Sequence, residues 1–268
     1  MDFNFFKIEK DNEILKVYFN NDKSLNALTM DFFSELPEVV KLAEEDSEIS
    51  VVIFSSNTKH FSVGLDVFSF GVALKDIINM ETKEKRKKLY KLIKEMQSGM
   101  TLMEEGSKIY IASINGYCIG GALDFIAACD LRFASKDAIF SLREAKIGIT
   151  ADLGSLQRLP FIIGIANTKY LAYTGMDIDV NKAKEMGLVN DVFETKEELD
   201  ERVLNIAKDI AENPKDAVSN SKKFINNLHK QIVEKELDII AIHNSSALDF
   251  NEINEYFQKS LNKGRKNG

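Results

Sequence analysis

Cysteine and histidine are scarce in this chain of 268 residues: Cys118 and Cys129 are the two thiols, and the histidines stand at 60, 229 and 243. With no CxxC spacing and no cluster of His and Cys, the sequence offers neither a disulfide framework nor the ligand spacing of a metal centre. No apolar run approaches the roughly 18 residues that a membrane helix needs, so no membrane span is expected. An excess of basic residues is also missing. The net charge of -7 weighs against nucleic acid as a partner, because phosphate backbones demand clustered Lys and Arg. Two local exceptions, "KEKRKK" (83–88) and "KGRK" (263–266), read as a solvated helix face and a tail. The first residues carry no basic stretch leading into an apolar one and the last are no peroxisomal address, which makes a cytoplasmic location the expectation.

What is present has the balance of a globular domain, 44% hydrophobic and 29% charged, in a chain long enough to bury a substantial core. "FKIEKDNEILKVYF" reads as a hairpin, "LTMDFFSELPEVVKLAEED" as an amphipathic helix and "ISVVIFSS" as a buried strand. Residues 70–104 are helical by period, with Leu89, Leu92, Ile93, Met96, Met100 and Met103 on one face. The strand "KIYIASING" follows, then "GYCIGGALDFIAACD", which has the length and small residues of a buried helix, then the strand-like "LRFAS" and "AIFSL". Strand, strand, helix, repeated, is an α/β pattern. From about Thr195 the strands stop, and three helical patterns remain: "KEELDERVLNIAKDIAEN", "KDAVSNSKKFINNL" and "EKELDIIAIHNSSALDFNEINEYFQKSL".

Three acids stand in apolar or glycine-rich surroundings: Asp124 in "GGALDFIAA", Glu144 in "LREAKIG" and Asp152 in "ITADLGS". Burial raises the pKa of a carboxyl group, which is how an enzyme obtains a general acid or base near neutral pH. For any one of them taken alone, a structural role as an N-cap or a salt-bridged core acid is the stronger reading, and Asp152, just before "LGSLQRL", fits a helix N-cap; three together point to chemistry. Two glycine-bearing turns flank the acids. "HFSVGLD" (60–66) and "NGYCIGGALD" (115–124) each follow a predicted strand, and two such turns side by side would aim free backbone N–H groups at one spot, an oxyanion hole. A dinucleotide site is a poor match, since the GxGxxG fingerprint is absent.

Taken in order, "FSVGLD", "NGYCIGGALDFIAACDLRFAS", "REAKIGI", "LGSLQRLP" and "AKEMGLVNDVF" resemble the crotonase superfamily, also called the enoyl-CoA hydratase/isomerase family, over at least residues 12–193. The resemblance implies a spiral of ββα units over residues 1–194 that carries an acyl-CoA site. It also implies a helical region over 195–268 that builds homotrimers or homohexamers. By motif position, the oxyanion hole for the thioester is implied at the backbone amides of Leu65 and Gly121. Hydratases of the family usually carry glutamate where Asp124 stands and glycine where Asp152 stands, and this chain departs from both. Asp124, Glu144 and Asp152, at spacings of 20 and 8, are instead similar to the acids of the dienoyl-CoA isomerases. That likeness implies proton transfer from C2 to C6 of a 3,5-dienoyl-CoA, with Glu144 the base, Asp152 the acid and Asp124 tuning them. An enoyl-CoA hydratase, a monoenoyl-CoA isomerase and a non-catalytic acyl-CoA-binding relative are the alternatives. No cofactor or metal is expected beyond the coenzyme A of the substrate, whose phosphates would meet Lys59, the "KEKRKK" helix or the C-terminal lysines. Residues from Phe68 to Met80 are expected to shape the acyl pocket.

Overall fold

The computed structural model describes residues 3–249, 251–253, 255 and 256. Strands β1 (Phe6–Asp11) and β2 (Ile14–Phe19) form the predicted hairpin. Helix α1 (Met30–Glu45) and strand β3 (Val51–Ser56) follow as read. The long helical stretch divides into α2 (Val67–Ile78) and α3 (Thr82–Glu105). All the predicted stripe residues of α3 are buried except Leu92, which is partly so.

Next come β4 (Ile109–Ile114), β5 (Tyr117–Ile119) and α4 (Gly121–Ala127). The predicted helix from Gly116 is therefore wrong at its start. Tyr117–Ile119 is a strand, paired with β7 (Ile139–Ser141) of a small second sheet, and the chain turns helical only after Gly120, whose φ of +55° and ψ of -123° suit glycine. Strand β6 (Leu131–Ser135), helices α5 (Ser155–Ile162) and α6 (Gly164–Thr174), strand β8 (Asp177–Asp179), helix α7 (Val180–Met186) and strand β9 (Asp191–Phe193) complete the core. Helices α8 (Lys196–Ala211), α9 (Lys215–Asn226) and α10 (Lys230–Ala247) end the described fold. The expected last helix ran on past Ala247; its residues 250, 254 and 257–261 lie outside the described ones, as does the "KGRK" tail.

The main sheet has the order β1-β2-β3-β4-β6-β9 and is parallel from β2 onward. Its central strands are buried on both faces, as a parallel sheet requires. Alternate residues serve two cores. Val52, Phe54, Tyr110, Ala112 and Ile114 pack toward α1, α3 and α4, while Val51, Ile53, Ile109 and Ile111 pack toward Leu199, Val203 and Ala207 of α8. Phe5, Phe19, Phe32, Phe54 and Phe125 meet largely edge to face at centroid distances of 4.9 to 5.7 Å, an arrangement that adds to area burial.

The second sheet, β5-β7-β8, is continued by the single bridge Ser62↔Cys118, and Leu28↔Leu65 adds a further single bridge. Each turn of the chain thus runs from a main-sheet strand to a second-layer segment to a helix, the ββα spiral. Among the described residues no helix is long and apolar enough to cross a membrane.

Asn26 pins the outer end of this second layer. Fully buried in a left-handed turn (φ +54°), it holds its Nδ2 2.8 to 3.0 Å from Ser56 Oγ, Thr58 Oγ1 and the His60 carbonyl, and its Oδ1 accepts the Asn21 amide. Asn tolerates this backbone region better than most residues. Removing it strands several buried polar groups, so Asn26→Ala is expected to lower stability by about 3 kcal/mol. Urea unfolding checks this; a loss within about 0.5 kcal/mol of zero would mean that the knot is dispensable.

Candidate active site

Gly64 brings the two glycine turns together. Its φ is +88°, and a Cβ on it would lie 2.4 Å from the Ile119 carbonyl oxygen and 3.5 Å from the Gly121 nitrogen. Only glycine permits that approach. A Cβ on Gly121 would in turn lie 3.9 Å from the Leu65 nitrogen. Leu28 uses the neighbouring groups of the loop, donating to the Gly64 carbonyl and accepting from the Asp66 amide, which turns the Leu65 N–H the other way. Gly121 opens α4, where a helix has no internal acceptor for its amide. Among the described residues neither amide donates to a protein acceptor. Two free, converging N–H groups at the start of a helix form a site for a developing oxyanion.

The three acids converge beside these amides. A Cβ on Gly120 would come within 3.2 Å of Glu144 Oε1, and Oε2 of the same carboxyl is shut away from solvent without a hydrogen-bond partner. Glu144 sits in a short 3-10 turn, Glu144–Ile147, that the chain reverses out of through Gly148. Burial pushes its pKa well above the usual carboxylate range, with the Asp124 and Asp152 charges adding to the push.

Asp152 is held from two sides. Asn244 Nδ2 donates to its Oδ2 at 2.6 Å and to the Thr150 carbonyl at 2.8 Å, while Gln97 Nε2 donates to the Asp152 carbonyl at 2.6 Å. Burial raises the Asp152 pKa to about 7, against the Asn244 hydrogen bond, which favours the ionised form. The N-cap expectation for Asp152 does not hold. Helix α5 is capped instead by Asp124, whose Oδ1 accepts the Ser155 amide at 2.6 Å across the fold, because Gly154 at φ +128° turns the helix start toward α4. Asp124 is buried, which raises its pKa; the Ser155 bond and the Arg158 charge oppose that rise.

Several contributors were not foreseen. Arg158 is fully buried, with one guanidinium nitrogen 2.6 Å from Glu104 and another against the Leu153 carbonyl. It lies over Gly154 so closely that a Cβ there would be 1.6 Å from a guanidinium nitrogen. An arginine in "LGSLQRLP" is not separable by pattern from a surface arginine. Gln97 and Asn244 are likewise invisible until α3 and α10 are packed, since they stand 55 and 92 residues from Asp152. Several side chains of α2, Phe68 and Val72 among them, and the lysines beyond residue 256 lie outside the described residues, so the acyl-pocket and C-terminal phosphate expectations rest there.

A spiral of ββα units whose glycine turns pair two free amides beside buried acids defines the crotonase class of fold. The family model described as Enoyl-CoA hydratase/isomerase matches residues 9–263. The peroxisomal Delta(3,5)-Delta(2,4)-dienoyl-CoA isomerase of Arabidopsis thaliana is 38% identical over 246 residues, 91% of this chain and 88% of that protein. The mitochondrial Delta(3,5)-Delta(2,4)-dienoyl-CoA isomerase of Dictyostelium discoideum is 31% identical, over 96% and 90% of the two. A solved enoyl-CoA hydratase/isomerase from Xanthobacter autotrophicus Py2 superposes with a TM-score of 0.82 at 25% identity, over 95% of this chain and 92% of that one. The chain belongs to the enoyl-CoA hydratase/isomerase family and is an enzyme of that family.

The raised pKa of Asp152 has a consequence for stability. A carboxyl that titrates near 7 when folded and near 4 when unfolded favours the folded state only while it is protonated. That contribution is complete below about pH 4 and lost as pH rises through about 7, a difference of up to about 4 kcal/mol. Asp152→Asn is therefore expected to gain stability over the wild type at pH 8 but not at pH 4. Chemical unfolding at the two pH values checks this, and an equal effect at both would place the Asp152 pKa near its ordinary value.

Proposed function

We propose that this enzyme isomerises 3,5-dienoyl-CoA to 2,4-dienoyl-CoA. Glu144 removes a proton from C2, and the electrons of that C–H bond move toward the thioester oxygen, which the Leu65 and Gly121 amides stabilise as an oxyanion. The resulting trienolate takes a proton from Asp152 at C6, so the double bonds finish at C2 and C4. One proton leaves the substrate and one enters, with no change in its atoms or redox state. No metal or redox cofactor is required by these steps.

The observation that carries the reading is the engagement of Asp124. A hydratase of this family needs two carboxylates to hold its water, but Asp124 is fully buried and bound to the Ser155 amide. Glu144 and Asp152 are left as the pair able to move protons. Burial pushes both upward and the Asp124 charge adds to the push on each, so the set keeps a proton near neutral pH, as a relay with one proton donor and one acceptor requires. Burial holds the Glu144 carboxyl toward its protonated form, so the role of base requires that its proton pass to Asp152 when the acyl chain enters. Glu144 is given the C2 role because it borders Gly120, next to the oxyanion amide.

The same proposal extends to assembly. Phe161, Ile165 and Tyr173 of α5 and α6, with Phe224, Ile225 and Leu228 at α9, are exposed, Tyr173 by 75% and Leu228 by 81%. A cavity of about 630 Å³ opens among part of this set, lined by Phe161, Ile225 and Leu228 together with Arg132 and Lys222. So much apolar surface on one side suits a homotrimer or homohexamer, with residues 195–268 as the region that builds it. A cytoplasmic location completes the proposal; both cysteines are free and buried, which fits a reducing compartment.

Two measurements test these points. The purified protein, given a 3,5-dienoyl-CoA and separately a 2-enoyl-CoA, is expected to shift the diene and not to hydrate the enoyl thioester, with Asp152→Asn slowing the shift by about 10²- to 10⁴-fold. Hydration without diene conjugation would overturn the isomerase reading. Light scattering is expected to give a mass of three or six chains, reduced by Tyr173→Asp with Leu228→Asp; a monomeric wild type would sink the assembly.

A further inference from the structure

Helix α10 belongs to the C-terminal helical region, yet its inner face ends at the acid site. Val233, Leu237, Ala241, Asn244 and Ser245 are its buried residues, and α3 is the element it packs against. Three polar contacts fasten the pair in sequence. The Tyr90 hydroxyl donates to Asp238 Oδ1 at 2.6 Å, Lys94 stands 3.8 Å from the same oxygen, and Gln97 Nε2 donates to the Leu237 carbonyl at 3.2 Å. The fourth contact is Asn244, 1% exposed, whose two amide hydrogens are divided between the Thr150 carbonyl and Asp152 Oδ2.

The position of that amide is informative. A buried Asn can present oxygen or nitrogen to a carboxyl group; here the Thr150 carbonyl accepts from Nδ2, so the same nitrogen must face Asp152 as a donor. A donor fixed on one carboxyl oxygen favours the ionised acid and leaves the other oxygen as the one that carries a proton. Gln97 meanwhile holds the Asp152 backbone through its carbonyl. The clamp leaves Asp152 few rotamers.

We propose that Asn244 is a positioning residue for Asp152, so that α10 completes the proton-transfer site as well as packing the C-terminal region. The inference rests on the isomerase reading above. It assigns Asn244 no contact with substrate: it aims the Asp152 carboxyl and sets which oxygen gives up the proton. The groups facing Asp152 are Asp124 from α4, Glu144 from its 3-10 turn, Gln97 from α3 and Asn244 itself. The Asp124 charge opposes its ionisation, and Asn244 is the side chain that favours it through a direct bond.

The test compares wild type with Asn244→Leu, which keeps size and removes the donor, and with Tyr90→Phe, which loosens the same helix pair without touching Asp152. Two readouts are taken across pH 5 to 9. One is the titration of the Asp152 carboxyl carbon in protein labelled with ¹³C-aspartate, assigned with Asp152→Asn; it needs no turnover. The other is kcat for diene isomerisation. Asn244→Leu is expected to move the carboxyl midpoint and the matching limb of the kcat profile upward by about one pH unit. It is also expected to lower kcat by about 10- to 100-fold, while Tyr90→Phe moves neither midpoint nor limb. An active wild type whose midpoint does not move in Asn244→Leu, or moves equally in Tyr90→Phe, overturns the role of Asn244. A wild type without diene isomerisation overturns the isomerase reading, and this inference with it.

Discussion

The hydrogen bond from the Ser155 amide to Asp124 Oδ1, 2.6 Å long and fully buried, ties together the parts of the site that the chain supplies separately. Asp124 lies in α4, whose first residue Gly121 carries one of the two free amides. Ser155 opens α5, whose leading loop carries Asp152. Joining the two helix ends fixes the placement of that free amide relative to Asp152. The start of a helix is a favourable place for an acid, and the Arg158 charge nearby opposes the rise in pKa that burial imposes on Asp124. The same bond engages one oxygen of a fully buried Asp124, so this carboxyl group is part of the framework of the site.

That framework depends on the absence of side chains at a few points. Gly64 lets the Leu65 loop reach Ile119, and Gly154 leaves room for the Arg158 guanidinium. In each case a backbone approaches a group so closely that a methyl would displace it. The second layer of the spiral, with the bridges Leu28↔Leu65 and Ser62↔Cys118, is thin in hydrogen bonds, and Asn26 with its three acceptors makes up part of what an ordinary strand would provide. Precision at the amide pair therefore comes from a long-range knot as much as from the local turn.

Much of this was legible before any coordinates. The hairpin, the buried strands and the α3 stripe follow from period, and the five motif segments point to Leu65, Gly121, Asp124, Glu144 and Asp152, which the fold brings into one neighbourhood. Two local readings failed for identifiable reasons. Tyr117–Ile119 is too short to show a period of its own beside the small residues of α4, so strand and helix merged into one apparent helix. Asp152 stands where an N-cap would, but Gly154 turns the chain so that the cap comes from Asp124, 31 residues earlier. Gln97, Asn244 and Arg158 carried no signal, because an amide or a guanidinium gains meaning only from the partner across the packed interface.

Burial of three acids in one place opposes stability, and the surrounding structure shows where the opposition is absorbed. Phe125 of α4 anchors the aromatic core, and α8 covers the far face of the sheet with a separate apolar cluster. The polar groups that touch the acids are donors: the Ser155 amide on Asp124, and Asn244 and Gln97 on Asp152. Glu144 Oε2 is the exception, buried without a partner. A carboxyl oxygen kept dry and without a partner is a poor structural choice, and burial holds that group toward its protonated form. On the isomerase proposal, that unmet demand and the two unpaired amides beside it would be met by a substrate that supplies both an acidic C–H and a carbonyl oxygen.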